Sequence, residues 1–317
     1  MQGVFLDKDS LDLGDIDFSG LESQLSDLRY FPVTAPAQVA ERIRDAEVVI
    51  SNKIRVGAAA MRMAKNLKLI CVAATGVNNI DLKAAAEQGI TVCNSRGYGT
   101  ASVVQHVFSL ILALTTRLAD YRQAVTAGRW QQTELFCVLL PNSELAGKTL
   151  GIVGYGELGQ GVANIARAFG MKVLIAQRPG IEAINGERVP LAILLPQVDV
   201  LSLHCPLNPQ TRGLIGAEQL ALMRPHALLI NTARGGIVDE AALAQALRER
   251  VLGGAGVDVL TEEPPVNGNP LLAADIPNLI VTPHCAWGSV ESRQRIVQQL
   301  VENIRSYLNG RPVRVVV

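Results

Sequence analysis

The chain has 317 residues, enough for two domains of ordinary size, each with its own core. Lys and Arg number 29 and Asp and Glu 29, so the formal net charge is zero, and without a basic block there is no electrostatic footprint for nucleic acid or an anionic membrane. Aromatics make up 4% of the chain against 49% hydrophobic residues, so Ala, Val, Leu and Ile supply the core, as in the near-continuous strands of buried parallel sheets.

The first part alternates short apolar runs with helical patterns. Strands are predicted over 3–6, 29–33, 48–51, 69–73 and 91–94, with helices over 38–44, 57–65 and 82–88 among them. Such alternation argues for a parallel sheet covered on both faces. A long amphipathic helix is predicted from Ala101 to about Ala127, ending near Gly128, as a connector between two lobes, with Gly97-Tyr-Gly99 as its hinge. A polar loop around Pro141-Asn-Ser-Glu144 leads onward. Further strands are predicted over 149–153, 173–176, 198–203, 227–231, 256–259 and 279–281, and a helix over 241–249 preceded by Asp239-Glu240, whose charge suits the helix dipole. The last helix is predicted over 290–309, and the tail 312–317 as a strand returning to the first domain. The expected division is residues 1–98 plus 288–317 for one domain and 99–287 for the other.

Gly154, Gly156 and Gly159 carry the Gly-x-Gly-x-x-Gly spacing between the strand at 149–153 and a helix face formed by Leu158, Val162, Ile165, Ala166 and Phe169. Gly154 allows a tight turn, Gly156 lets backbone approach a pyrophosphate, and Gly159 lets the helix press onto the strand. Three further segments end strands of the same half: Asn231-Thr-Ala-Arg-Gly-Gly236, Asp258-Val-Leu-Thr-Glu-Glu-Pro264 and Thr282-Pro-His-Cys-Ala-Trp287. Ligands of open α/β sheets sit outside the carboxyl ends of the strands, so the segments should converge. Arg234 can grip a carboxylate bidentately, and His284 beside a fixed turn is placed for proton transfer. Read alone, Glu263 is a solvated loop acid.

Five cysteines, Cys71, Cys93, Cys137, Cys205 and Cys285, are dispersed singly with no zinc-ligand spacing. They read as reduced thiols of a cytosolic protein, and neither a metal nor export or membrane anchoring is expected. His106, His204 and His226 read as structural.

The chain resembles the D-2-hydroxyacid dehydrogenase family over nearly its whole length. The resemblance rests on Gly154-Tyr-Gly-Glu-Leu-Gly159, His204-Cys-Pro-Leu207 with Thr211, Asn231-Thr-Ala-Arg-Gly235, Asp258 through Glu263-Pro264, and Pro283-His284. Within the family it is most similar to glycerate dehydrogenases, or hydroxypyruvate reductases, in Ala73-Ala-Thr-Gly-Val-Asn-Asn-Ile-Asp81 and His284-Cys-Ala-Trp287.

The resemblance implies two Rossmann-like, doubly wound parallel-sheet domains, the first flavodoxin-like and substrate-binding, with the active site in the cleft between them. It implies NAD(P)H-dependent reduction of hydroxypyruvate or glyoxylate by a cytoplasmic homodimer. His284 is then the acid/base, Glu263 holds its imidazole and favours the protonated form, and Arg234 binds the substrate carboxylate and polarises the carbonyl. Backbone N–H groups of Thr75 and Gly76 take the same carboxylate. Gly154, Gly156, Glu157, Leu158, Gly159, Gln177, Arg178, Cys205, Pro206, Thr211, Thr232, Ala233 and Asp258 contact the cofactor, Asp258 at the nicotinamide carboxamide.

One departure bears on the cofactor. Folds that prefer NAD usually carry an acid at the end of the second strand, whereas this chain has Ala176-Gln-Arg-Pro179, and Arg178 can pair with a 2′-phosphate, so the expectation is that NADPH is preferred or that both NADP and NAD are used. The alternative function is a nucleotide-sensing regulator on the same fold, resembling co-repressors. The full set of His284, Glu263 and Arg234 favours catalysis.

Overall fold

The computed structural model describes residues 1–178 and 188–317. In chain order the elements are β1 (Gln2–Phe5), α1 (Ser19–Glu22), β2 (Asp27–Tyr30), α2 (Val39–Ile43), β3 (Val48–Ser51), α3 (Ala58–Met63), β4 (Leu69–Val72), α4 (Leu82–Glu87) and β5 (Thr91–Cys93). There follow α5 (Thr100–Thr116), α6 (Leu118–Thr126), β6 (Thr149–Val153), α7 (Glu157–Ala168), β7 (Lys172–Ala176), β8 (Arg188–Val189), α8 (Leu191–Leu194), β9 (Val200–Leu203) and α9 (Ala217–Leu222). β10 (Leu228–Asn231), α10 (Glu240–Arg248), β11 (Gly254–Val257), β12 (Leu279–Val281) and α11 (Val290–Leu308) complete the chain. They form two compact units, Met1–Gly99 with Trp287–Val317, and Thr100–Ala286.

The first unit holds a five-stranded parallel sheet in the order β2-β1-β3-β4-β5, one of the two common doubly wound arrangements. Every residue of β3 and β4 is buried, which a strand covered on both faces demands of its sequence. One cover is α11, whose Ile296, Val297, Leu300 and Ile304 recur at helical spacing and pack with Phe5, Ile50, Leu69 and Cys71. Ser289 caps that helix by accepting from the Ser292 N–H at 3.2 Å. The tail then runs antiparallel to β5, with Val92 N donating to Val317 O at 2.7 Å and Val316 N to Val92 O at 2.8 Å. The strand predicted over 29–33 begins earlier, at Asp27, and gives way before Pro32, which has no N–H to offer a ladder.

The second unit holds a seven-stranded parallel sheet in the order β12-β11-β10-β9-β6-β7-β8. Strand order reverses between β6 and β9, so a crevice opens at their carboxyl ends. Asp239 caps α10 by accepting from Ala241 and Ala242 N–H, both at 3.0 Å.

Two expectations for this unit need correction. The long helix predicted over 101–127 is two helices, α5 and α6, bent by 56° at Arg117, which takes a left-handed conformation at φ 55°. The cause lies just before the bend. Thr115 and Thr116 hydroxyls bond back to Ile111 O at 2.9 Å and Leu112 O at 2.6 Å, competing with the helical ladder, and Arg117 then pairs with Asp120. The strand predicted over 256–259 occupies Gly254–Val257 instead. Gly256 within it serves packing, since a Cβ there would come within 2.9 Å of Leu110 Cβ on α5. α1, α8 and α9 were not predicted; none exceeds six residues, under two turns, which is too short for a period to emerge. Among the described residues no single helix is long and apolar enough to cross a membrane.

Candidate active site

The turn after β6 is shaped for close approach by another group. Gly154 sits at φ 95°, and a Cβ there would lie 2.6 Å from the backbone of His204 and Cys205, which follow β9. A Cβ on Gly159 would lie 2.2 Å from Gly154 O, so the helix can rest on its own loop only without a side chain at that position. Around Gly156 the structure is open, with nothing within 4 Å of an added Cβ, and Gly156 is the N-cap of α7. The turn therefore presents bare backbone and helix N–H groups to whatever occupies the crevice. Glu157 in the first turn of α7 is held by Thr100, whose hydroxyl donates to Oε1 at 2.5 Å, and Leu158 follows it in the helix.

Opposite in strand order, three loops follow β10, β11 and β12. Asn231 ends β10 and organises its loop by donating from Nδ2 to Arg234 O at 3.0 Å and accepting at Oδ1 from Ala233 N at 3.1 Å. Arg234 is exposed, and its Nη1 donates to Ala233 O at 2.6 Å. That uses one of five guanidinium N–H donors, so a bidentate grip on an anion is still possible. Gly235 joins this loop to the next: a Cβ there would fall 2.0 Å from Leu260 O. Gly235→Ala must therefore force the two loops apart, and an expected loss of about 1–3 kcal/mol, the usual cost of overpacking, is read from a lower urea midpoint. An unchanged midpoint would mean that the two backbones can separate freely.

The decisive pair comes from the other two loops. Glu263 Oε1 accepts from Leu260 N at 2.8 Å, and its Oε2 lies 2.6 Å from His284 Nδ1. Both side chains are partly exposed, at 33% and 26%, so the imidazole is held by a carboxylate yet reachable. With Nδ1 on the carboxylate, proton exchange falls to Nε2. His284 itself stands at φ 52°, a left-handed conformation costing a β-carbon residue roughly 1–2 kcal/mol, and its N–H donates to Thr282 O at 3.0 Å and Asp258 O at 2.8 Å. The strain is offset by a buried anchor. Asp258, only 1% exposed, accepts from the Thr282 hydroxyl at 2.5 Å, Cys285 N at 2.9 Å and Ala286 N at 3.0 Å. Three donors satisfy a carboxylate that burial would otherwise penalise by several kcal/mol.

Asp258 thus builds the turn that carries His284, a role the sequence did not disclose. Its Oδ2 accepts a single bond and retains capacity for another donor. His106, read from the sequence as structural, also reaches this anchor: its Nε2 lies 3.0 Å from Thr282 Oγ1 and 3.6 Å from Asp258 Oδ1. No sequence signal pairs a residue of α5 with the end of β12.

Thr211 is buried with its hydroxyl donating to Pro206 O at 2.6 Å, so it shapes the turn after Cys205. Thr232 Oγ1 is buried and has no hydrogen-bond partner among the described residues, as an atom awaiting a ligand would be. His204 Nδ1 is likewise unpartnered, while its Nε2 lies 2.8 Å from Ser202 Oγ, and burial pushes the imidazole down to about 4. Gln177 follows β7 and donates from its N–H to Val189 O at 2.8 Å; Arg178 is exposed beside it, and Pro179 lies outside the described residues. Thr75 and Gly76 belong to the first unit, in the loop after β4 that Asn94 secures through Thr75 O at 2.8 Å. Their N–H groups donate to no acceptor among the described residues.

A glycine cradle at the strand-order reversal, an unpartnered buried hydroxyl at the end of β10 and an open helix N-terminus fit a dinucleotide. A family model described as D-isomer specific 2-hydroxyacid dehydrogenase, NAD binding domain, matches residues 108–286. The chain belongs to that family. It is a nicotinamide-dependent oxidoreductase with two Rossmann-like units. Glycerate dehydrogenase of Methylorubrum extorquens is 45% identical to this dehydrogenase, over 99% of this chain and 98% of that one. Hydroxypyruvate reductase of Blautia hydrogenotrophica is 39% identical over 100% and 99%. Among solved structures, the NADPH-dependent glyoxylate/hydroxypyruvate reductase of Sinorhizobium meliloti, in complex with NADP and malonate, matches with a TM-score of 0.82 at 27% identity, covering 100% of this chain and 97% of that one. The family's own description gives 2-hydroxy acids as its class of substrate.

Proposed function

We propose that this dehydrogenase reduces hydroxypyruvate or glyoxylate to the D-2-hydroxy acid, with NADPH as the preferred donor. The observation that carries the reading is the 2.6 Å contact of His284 Nδ1 with Glu263 Oε2, at the ends of two strands of the dinucleotide sheet. The reduced nicotinamide, when bound, supplies the hydride. Gly154, Gly156, Glu157, Leu158 and Gly159 would hold its pyrophosphate, Gln177 and Arg178 its ribose, and Cys205, Pro206, Thr211, Thr232, Ala233 and Asp258 the remainder. Arg234 pairs its guanidinium with the substrate carboxylate and polarises the carbonyl oxygen. His284 gives its Nε2 proton to that oxygen as negative charge develops, and Glu263 keeps the ring in place through Nδ1. Solvent then restores the proton to His284. A homodimer in the cytoplasm completes the reading, by analogy with the family.

The test is a panel of 2-keto acids of different side chain against both reduced cofactors. Hydroxypyruvate or glyoxylate should give the highest kcat/KM. Purified protein that binds NADPH but oxidises it with no 2-keto acid would overturn the reductase in favour of a nucleotide-sensing regulator. For the cofactor, the end of β7 carries Gln177 and Arg178 and no carboxylate to repel a 2′-phosphate. NADPH should be used at least as efficiently as NADH, and Arg178→Ala should lower kcat/KM for NADPH by about tenfold, some 1.4 kcal/mol, with NADH little changed. An NADPH efficiency more than about tenfold below that of NADH would remove the role given to these two residues.

A further inference from the structure

Three donor atoms of different chemistry gather beside the Asp258 anchor. His106 Nε2 comes from α5, Asp258 Oδ1 from the end of β11 and Cys285 Sγ from the turn after β12. His106 Nε2 is 3.6 Å and Cys285 Sγ 3.7 Å from Asp258 Oδ1, and all three lie within 4.8 Å of one another. A tetrahedral zinc-type ion, bonded at about 2.0–2.1 Å to nitrogen and oxygen and about 2.3 Å to sulfur, holds its N and O ligands about 3.4 Å apart and its S and O ligands about 3.6 Å apart. The two measured separations exceed those values by no more than about 0.2 Å, a side-chain adjustment. Among the described residues no other group of His, Cys and acidic side chains meets this condition.

We propose that His106, Asp258 and Cys285 form a site for a borderline-soft divalent cation, with zinc as the type, whose occupation reversibly inhibits the enzyme. A hydrogen-bond relay from His106 through the Thr282 hydroxyl to Asp258 explains two of the three donors without a metal. It leaves Cys285 unexplained, because a thiol 3.7 Å from a carboxylate oxygen is a weak donor. The residue is exposed while Asp258 is buried, so a cation can enter from the sulfur side and meet a fixed carboxylate. On binding, the Cys285 thiol releases its proton to solvent and forms the S–metal bond, the His106 proton passes through solvent from Nε2 to Nδ1 so that Nε2 can bond the cation, and Asp258 Oδ1 supplies the third ligand. The Thr282 hydroxyl gives up its bridging place. Three protein ligands leave a fourth position for water, the pattern of an open rather than a structural site.

Inhibition follows because Asp258 and the backbone of Cys285 also build the turn that carries His284. Drawing Cys285 Sγ and Asp258 Oδ1 onto a cation shifts that turn and takes the carboxylate from the cofactor. This consequence rests on the reductase reading, whereas the site itself does not.

The test separates the two. Cobalt(II) added to the metal-free full-length protein should produce, at one equivalent, a thiolate-to-cobalt charge-transfer band that zinc displaces. Cys285→Ser should abolish the band. His106→Ala should weaken cobalt binding at least about tenfold, since disturbing even the partner of a ligand costs 10–100-fold. Thermal melts of both variants in the absence of metal establish that they are folded. No band, or a band that survives in Cys285→Ser and so belongs to another cysteine, overturns the site. In turnover assays, zinc should inhibit the wild type, a chelator should restore activity, and the rate of Cys285→Ser, taken relative to its own metal-free rate, should resist zinc. A cobalt band lost in Cys285→Ser together with wild-type turnover that zinc leaves unchanged would retain the site and overturn the inhibition.

Discussion

His284→Ala is expected to lower kcat for 2-keto acid reduction by about 10³-fold, within the 10²–10⁴ range that positioned general acids supply. In the proposed reaction the proton for the developing alkoxide comes from a ring that Glu263 holds by one nitrogen, and the other three histidines are engaged elsewhere: His106 with Thr282, His204 buried against Ser202, and His226 with Asp199. Because the glycine turn after β6 is untouched, NADPH affinity by fluorescence titration should change by less than about threefold, the size of a minor perturbation. A variant that kept a tenth of wild-type kcat would assign the proton to another group. Relief of the left-handed strain at φ 52° is not expected, since alanine also carries a β-carbon.

Arg234→Ala is the second large effect, and it should appear in kcat/KM for the keto acid rather than in cofactor affinity. Two charge-assisted hydrogen bonds to a carboxylate are worth roughly 1.5–3 kcal/mol each, and partial exposure places the sum near the lower end, so a fall of about 10²–10³-fold is expected. Arg234→Lys keeps the charge but not the planar fork, and recovery should be no more than about tenfold. If steady-state kinetics put Arg234→Ala within tenfold of wild type, the substrate carboxylate is bound by other groups.

The parts of this architecture that could be read from the sequence are those written in local patterns. Buried strands such as Val48–Ser51 and Leu228–Asn231 appear as unbroken apolar runs, and the glycines at 154, 156 and 159 declare a strand-turn-helix before any contact is known. Arg234 and His284 stand out because each follows a strand at the end where ligands bind, whereas Glu263, read alone a solvated loop acid, is singled out only by the family resemblance. What stayed hidden depends on residues distant in sequence. Gly254 falls outside the predicted strand because its place in β11 depends on Asn278 and Leu228, far away in sequence, against which a Cβ would press. Arg117 looks like any helical residue until the back-bonded Thr115 and Thr116 bend the chain before it. Asp258, expected as a cofactor contact, is in addition the buried anchor of the His284 turn, which stayed hidden because three of its donors lie some 24–28 residues further along.

The way the chain is threaded bears on how it acquires its structure during synthesis. Thr100–Ala286 is continuous, whereas the other unit is assembled from both ends, with α11 over its sheet and the tail beside β5. A ribosome therefore releases a finished nucleotide-binding half while the amino-terminal sheet still lacks one of its covers. Until α11 emerges, Leu69 and Cys71 lack the helix that packs on β4, so the first sheet keeps apolar surface exposed longer than it would in a chain of two sequential domains.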